Sequence, residues 1–300
     1  MERRVCDMPV YTYVSHPSVK GLYAIPSVTT QKGFDAAISY QARPGDIFLC
    51  TYPKCGTTWV QNALLGMKYG RSLVENEKLD IMFPHLELDG IDAVENVKDL
   101  PRMIKTHLLF DMTPWNQQSK YICVARNPKD CFASYFYHTI GFTHLYQYED
   151  GKFDDFFELL ISGKVDFGDF FDFATKWWAM SKEKSNVLYV LYEDLKYDSH
   201  GEFLKIAQFL GDEWADKVTK NGNELLDEIV NFTSFKNMSR RDYHTKRPAE
   251  LPFLRKGVIG DWKNLFTKSQ SQRVDEKMEQ SGKKYPGFNK LWDKYAEDLK

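Results

Sequence analysis

The chain has 300 residues, 43% of them hydrophobic and 15% aromatic, and a formal net charge of −2 at pH 7. That is enough apolar material for a large α/β core, and a near-neutral balance excludes the broad basic face that non-specific nucleic-acid binding needs. No apolar stretch is long enough to span a bilayer; the start carries Glu2, Arg3 and Arg4 but no apolar signal core, and Cys6, Cys50, Cys55, Cys123 and Cys131 form no Cys-x-x-Cys pair. These features fit a reduced cytoplasmic protein without a membrane or nucleic-acid partner.

Residues 1–41 hold Pro9, Pro17 and Pro26 without a clear period, and a loop-rich lead-in is expected there. Asp46–Cys50 is a continuous apolar run after Pro44-Gly45, the pattern of a parallel strand buried on both faces. Thr51-Tyr52-Pro53-Lys54-Cys55-Gly56-Thr57-Thr58-Trp59 follows, and Trp59, Val60, Ala63, Leu64 and Met67 then mark one helical stripe. A glycine, two hydroxyls and a lysine between strand and helix bring backbone N–H groups and the positive helix end to one place, as a phosphate cradle requires. The familiar nucleotide loop is Gly-x-x-x-x-Gly-Lys-Ser/Thr, whereas here Lys54 precedes Gly56, so no metal-binding role passes to Thr57. Alone, the loop fits a cradle and a plain turn with a solvated lysine equally well.

Gly70 to Pro101 reads as turn-rich, with Pro84 and Gly90 as breakers. Arg102–Thr106 is then a second strand ending at His107, and Lys120–Ala125 a third ending at Arg126. Ligands of open parallel sheets bind beyond the carboxyl ends of the strands, so Lys54, Lys105, His107 and Arg126 are expected along one edge. Asn127-Pro128 starts a helix that carries Ser134 near the same edge. The stripes Phe153, Phe156, Phe157, Leu160, Ile161 and Phe170, Phe173, Ala174, Trp177, Trp178 read as core. Val187–Leu191 is a fourth strand, with Tyr192-Glu193-Asp194 at its end; helices follow around Phe203–Leu210 and Asn223–Phe232. Strand and helix alternation predicts a single domain over 1–300: a mostly parallel sheet with helices on both faces. Thr233 to Leu254 is polar and non-periodic, and a stretch so long in a compact domain is usually functional.

With Arg255-Lys256-Gly257-Val258-Ile259-Gly260-Asp261-Trp262-Lys263-Asn264 the sequence closely resembles the cytosolic sulfotransferases. The match runs from about Arg43 to Phe288 and includes Lys105-Thr106-His107, Arg126-Asn127-Pro128-Lys129-Asp130 and Tyr192-Glu193-Asp194-Leu195. The resemblance implies a P-loop-like fold and metal-independent transfer of a sulfuryl group from 3′-phosphoadenosine 5′-phosphosulfate (PAPS) to a hydroxyl or amine, leaving PAP. It implies that Lys54, Cys55, Gly56, Thr57 and Thr58 hold the 5′-phosphosulfate and that Trp59, Tyr192, Thr233 and Phe235, with Met238, line the adenosine. Arg126, Ser134, Arg255, Lys256 and Gly257 would take the 3′-phosphate, using guanidinium forks suited to planar anion recognition. His107 would be the general base, Lys54 would steady the leaving oxygen, Lys105 the sulfuryl oxygens, and Ser134 would hold Lys54 until an acceptor binds.

For the acceptor, an apolar aromatic pocket is expected from Tyr23, Phe83, His85, Leu88 and Phe142; His85 and Leu88 stand where relatives often carry aromatics, which opens the site to a broader or more polar molecule. A small phenolic acceptor is favoured. Residues 237–254 are expected to form a lid whose Arg240, Arg241, Lys246 and Arg247 reach phosphate or are simply solvated. Where many relatives carry a dimer segment with a valine and a glutamate, this chain has Lys268 and Gln272, so a monomer is expected, a weak homodimer being the alternative. The rival functions are a silent PAPS/PAP-binding protein and an ATP- and magnesium-dependent P-loop kinase.

Overall fold

The computed structural model describes residues 9, 11–25, 29–72, 78–241 and 252–299. Its centre is a four-stranded parallel sheet in the order β4-β3-β5-β6, and a two-stranded antiparallel ribbon, β1-β2, stands apart from it. The ribbon is β1 Thr12–His16 and β2 Val19–Ala24; the sheet strands are β3 Ile47–Thr51, β4 Met103–Thr106, β5 Lys120–Ala125 and β6 Val187–Leu191.

Every residue of β3 is buried, as expected of a central strand with helices on both sides. Alternate side chains divide between two cores. Ile47, Leu49, Ile122 and Val124 face the helices Thr57–Tyr69, Ser199–Leu210 and Asp212–Phe232 through Val60, Leu64, Phe203, Ile206 and Ile229. Phe48, Cys50, Tyr121 and Cys123 face Pro128–Gly141, Phe153–Ile161 and Phe170–Glu183 through Phe132, Phe156, Phe173 and Trp177. Each such wholly buried side chain contributes about 2 kcal/mol of transfer free energy, so the period-two alternation of β3 and β5 fixes their register.

The strand order also fixes where a ligand can sit. β3 leads over one face toward β4, and its neighbour β5 leads over the opposite face toward β6. The loops leaving two adjacent strands therefore diverge, and a crevice opens between residues 52–56 and residues 126–128. On the β5 side the helix is pinned at its start: Pro128 is in the first turn and the Asn127 side chain accepts from Lys129 N–H.

Two expectations are corrected. The lead-in is not merely loop: it forms the β1-β2 ribbon and the Gln31–Ser39 helix, capped by Thr30 through the Gly33 N–H. Prolines and aromatics obscured the period-two pattern of two short strands. The Gly70 to Pro101 stretch likewise contains the helices Leu79–Met82 and Leu86–Asn96, the second interrupted at Gly90, whose φ of 79° breaks its apolar period. The expected lid falls partly outside the described residues: Lys246 and Arg247 lie there, whereas Phe235–Met238 is a short helix and the Arg241 guanidinium stacks 3.9 Å from the Phe232 ring centre.

Candidate functional site

The loop between β3 and the Thr57–Tyr69 helix is built to expose its N–H groups. Lys54 and Gly56 both adopt left-handed backbone, with φ of 71° and 99°. The helix starts at Gly56 with no side-chain cap, leaving its first-turn donors to an external acceptor. A Cβ on Gly56 would lie 2.9 Å from the Tyr192 ring, so glycine is required by conformation and by space. Cys55 is buried beneath the turn with its sulfur 3.8 Å from that of Cys131.

Around this loop the three other segments converge. Arg126, buried at the end of β5, donates to the carbonyls of Lys54 and Val258 and lies 4.4 Å over the Tyr192 ring. Tyr192 packs edge-on against Trp59, with ring centres 5.6 Å apart. Phe235 lies against Gly257, where a Cβ would approach it to 2.5 Å, and Met238 is buried close by in the same helix. The Thr233 hydroxyl donates to Ile229 O and closes its own helix, so its donor already has a partner.

Lys54, Ser134 and Arg255 line one pocket with Tyr137, His138, Pro252 and Phe253. The Lys54 ammonium lies 3.4 Å from His138 Nδ1 and 4.4 Å from the Phe253 ring centre; the Phe142 ring packs tilted against His138, with centres 4.5 Å apart. Arg255 and Lys256 both pair with Asp261, Lys256 at 2.7 Å. Burial raises the Asp261 carboxyl, but its hydrogen bonds to Lys256, Arg255 and Asn264 outweigh that and hold it at about 2. Asp130 accepts the N–H groups of Gly260 and Trp262 and ties this segment to the Pro128–Gly141 helix.

The nitrogens Arg126 Nε and Arg255 Nε are buried without a hydrogen-bond partner among the described residues. Buried guanidinium donors are normally satisfied, so these orphans and the uncapped helix start fit a bound polyanion. Among the described residues no group of three or more His, Cys, Asp or Glu is arranged to hold a metal ion, and no helix is long and apolar enough to cross a membrane.

On the β4 side, His107 Nδ1 lies 2.6 Å from the carbonyl oxygen of Thr51 and 3.1 Å from its hydroxyl, which in turn bonds the Thr57 hydroxyl at 2.7 Å. A carbonyl only accepts, so the neutral ring carries its proton on Nδ1 and keeps a lone pair on Nε2. Burial pushes His107 well below the ordinary histidine value, His85 and Lys105 push the same way, and Glu87 opposes them. Burial also lowers the Lys105 ammonium, against Asp80, Glu87 and Asp89.

Of the expected acceptor residues, His85 packs edge-on against His107 at 4.7 Å and Phe142 adjoins the Lys54 pocket. Tyr23 reaches the region through its backbone, its carbonyl accepting Phe167 N–H. Phe83 is wholly buried and packs in the core cluster that includes the Thr57–Tyr69 helix. Leu88 is 37% exposed on the Leu86–Asn96 helix.

Several site residues were missed by sequence reasoning. Phe167 packs 4.9 Å from His107, held by a left-handed backbone at Phe167 and Gly168 and by the Tyr52 hydroxyl, which donates to Gly168 O. Asp166-Phe167-Gly168-Asp169 is a turn signal that could have marked it. Glu87 and His138 carried no pattern of their own, and Thr51 and Asp261 stood inside the quoted motifs without an assigned role.

Residues 44–287 match the sulfotransferase domain family. The chain is 37% identical over 264 residues to mouse Sulfotransferase 1E1, covering 81% of this chain and 85% of that protein. It is 35% identical over 256 residues to human Sulfotransferase 1C2, covering 79% and 83%. A crystal structure of mouse sulfotransferase SULT7A1 complexed with PAP superposes with a TM-score of 0.71 at 26% identity, covering 93% of this chain and 98% of that one.

Proposed function

This chain belongs to the sulfotransferase family and is a PAPS-dependent enzyme, and from that premise we propose how its residues act and what it sulfates. His107 is the general base: its Nε2 takes the proton of the acceptor hydroxyl as that oxygen attacks sulfur. The observation that carries this reading is the contact of His107 Nδ1 with Thr51 O, in which the same threonine bonds Thr57 of the donor loop. The base is thereby fixed in tautomer and tied to the segment that grips the sulfuryl donor.

Sulfuryl transfer resembles phosphoryl transfer in needing in-line positioning and charge stabilisation more than covalent chemistry. Lys54 neutralises charge on the leaving oxygen, and Lys105 neutralises the transferred oxygens. Ser134 holds Lys54 back until an acceptor arrives, which fits their shared pocket. The loop Lys54, Cys55, Gly56, Thr57 and Thr58 grips the 5′-phosphosulfate. Arg126, Ser134, Arg255, Lys256 and Gly257 take the 3′-phosphate, and Trp59, Tyr192, Thr233, Phe235 and Met238 line the adenosine. No metal is required in this scheme.

The acceptor is a small aromatic alcohol, phenols first. Phe167 and the His85 ring give the region around His107 aromatic walls, and His85 makes it more polar than an all-phenylalanine slot. The whole chain acts as one sulfotransferase domain, cytoplasmic and monomeric. The monomer reading is supported by Lys268 and Gln272, which stand where the dimer segment of many relatives carries an apolar residue and an acid. Transfer from labelled PAPS to a panel of phenols, arylamines and hydroxysteroids, with EDTA present and His107→Ala in parallel, tests the scheme. Chelator-resistant transfer to phenols that is lost in the variant is expected; transfer that needs magnesium, or survives in the variant, would overturn it.

A further inference from the structure

Beside the base lies a buried acid that the scheme above does not use. Glu87 is 1% exposed in the first turn of the Leu86–Asn96 helix, and its Oε1 accepts the backbone N–H of His107. The same oxygen lies 2.9 Å from His85 Nε2, while Glu87 Oε2 has no hydrogen-bond partner among the described residues. His85 is 5% exposed, and neither of its ring nitrogens meets hydrogen-bond geometry despite that short approach. A carboxylate taken out of water without an ammonium or guanidinium hydrogen-bonded to it is costly. Accepting one backbone N–H does not require a charge, since a neutral amide oxygen would serve as well.

We propose that Glu87 is a positioning residue for His107, fixing the backbone of the base at the end of β4 and placing a buried negative charge where it stabilises the imidazolium formed as the acceptor is deprotonated. The inference rests on His107 being the base. It differs from the usual arrangement in which a carboxylate bonds the second ring nitrogen: here Thr51 O occupies Nδ1, so the acid acts on the ring through the backbone and through space.

The charges around the base make this contribution necessary. His85, on the turn before the helix, and Lys105, two residues back on β4, both disfavour a proton on His107. Asp80 on the Leu79–Met82 helix and Asp89 on the Leu86–Asn96 helix face Lys105 and favour its charged form. Thr51 O on β3 and Glu87 act in the other direction, and Glu87 alone can do so with a formal charge: burial raises its carboxyl, and His107 and the hydrogen bond from His107 N–H oppose that. Without that charge the base would be weaker and would take the proton of the acceptor less readily as the bond to sulfur forms.

Glu87→Gln keeps the size of the side chain and the acceptor for His107 N–H while removing the charge. In steady-state kinetics from pH 5 to 9, E87Q is expected to lower kcat about tenfold, to leave KM for PAPS within about twofold, and to move the acidic limb of the kcat profile down by about one pH unit. Wild-type kcat with an unmoved limb overturns the proposal, and so does a loss of kcat with an unmoved limb, which marks a merely structural role. Glu87→Asp retains the charge and serves if E87Q does not fold: a lower kcat with the limb near its wild-type position supports the proposal, and a displaced limb overturns it. His107→Ala separates the two levels. An active His107→Ala enzyme removes the base assignment itself, whereas an inactive one beside an unaffected E87Q removes only the role of Glu87.

Discussion

The imidazole of His107 donates from Nδ1 to the main-chain carbonyl oxygen of Thr51 at 2.6 Å, and so the last residue of β3 sets the tautomer of a side chain that follows β4. Parallel pairing makes this contact possible: Cys50 aligns with Thr106, so residues 51 and 107 leave adjacent strands side by side. His107→Ala should lower kcat by about 10²- to 10⁴-fold, the usual contribution of a positioned acid or base, while the dissociation constant of PAP changes less than about threefold. Steady-state kinetics and calorimetric titration of PAP check both parts. A parallel loss of PAP affinity would show that the ring is needed to shape the donor loop.

Gly56 is constrained twice, by a φ of 99° and by the Tyr192 ring 2.9 Å from where a Cβ would stand. Gly56→Ala should therefore destabilise the fold by about 1–2 kcal/mol from backbone conformation alone, lowering Tm by about 2–6 °C in a chain of this size. It should also weaken PAP binding by at least about tenfold, because displacement of Tyr192 disturbs the ring beneath Arg126. Placing Gly56→Ala in a Tyr192→Ala background should restore part of the Tm loss, the steric part. No restoration would assign the whole effect to φ.

Asp261 holds Arg255 and Lys256 side by side, a role hidden in the motif that contains all three. Asp261→Asn removes a charged partner from both cations, and hydrogen bonds to charged groups are worth about 1.5–3 kcal/mol at most when well buried. Asp261 is buried but the Lys256 side chain it pairs with is 49% exposed, so a smaller effect is expected, a rise in the PAP dissociation constant of about three- to tenfold. Because net positive charge at the site increases by one, the salt dependence of binding should steepen. Tighter binding in D261N would mean that Asp261 competes with the anion for the two cations.

What the sequence made legible was whatever repeats at a period or stands at a strand end. β5 and β6 begin and end where their apolar runs do, and Lys54, Arg126, Tyr192 and Arg255 come together because each follows a strand or a motif that the fold brings to one edge. The illegible part depends on contacts between distant segments. Asp166-Phe167-Gly168 signals a turn but not that its phenylalanine will rest on His107, and Glu87 looks like one more acid on a helix until the end of β4 is laid beside it. Phe83, an aromatic in the stretch expected to wall a pocket, packs in the core cluster on the Thr57–Tyr69 side of the sheet.

The turn that carries Phe167 is anchored by an acid whose protonation should be visible in stability. Asp166 is 2% exposed and accepts from the hydroxyls of Tyr135 and Tyr146, the latter at 2.9 Å. Burial raises its carboxyl from 3.8 to about 6, and the tyrosine hydrogen bonds offset only part of that. With the folded value above the unfolded one, the folded chain binds the extra proton between about pH 4 and pH 6. The contribution of this group is therefore fully present below about pH 4 and is lost as pH rises through 6. At 1.36 kcal/mol per pH unit the loss is about 3 kcal/mol. Asp166→Asn keeps an acceptor for Tyr146 but cannot ionise, so the difference in unfolding free energy, wild type minus variant, should fall by about 2 kcal/mol between pH 4.5 and pH 7.5, the rest of the loss lying below pH 4.5. Urea titrations of both proteins at the two pH values measure it, and a difference that stays constant, or rises with pH, would mean that Asp166 is already ionised in the folded chain at the lower pH.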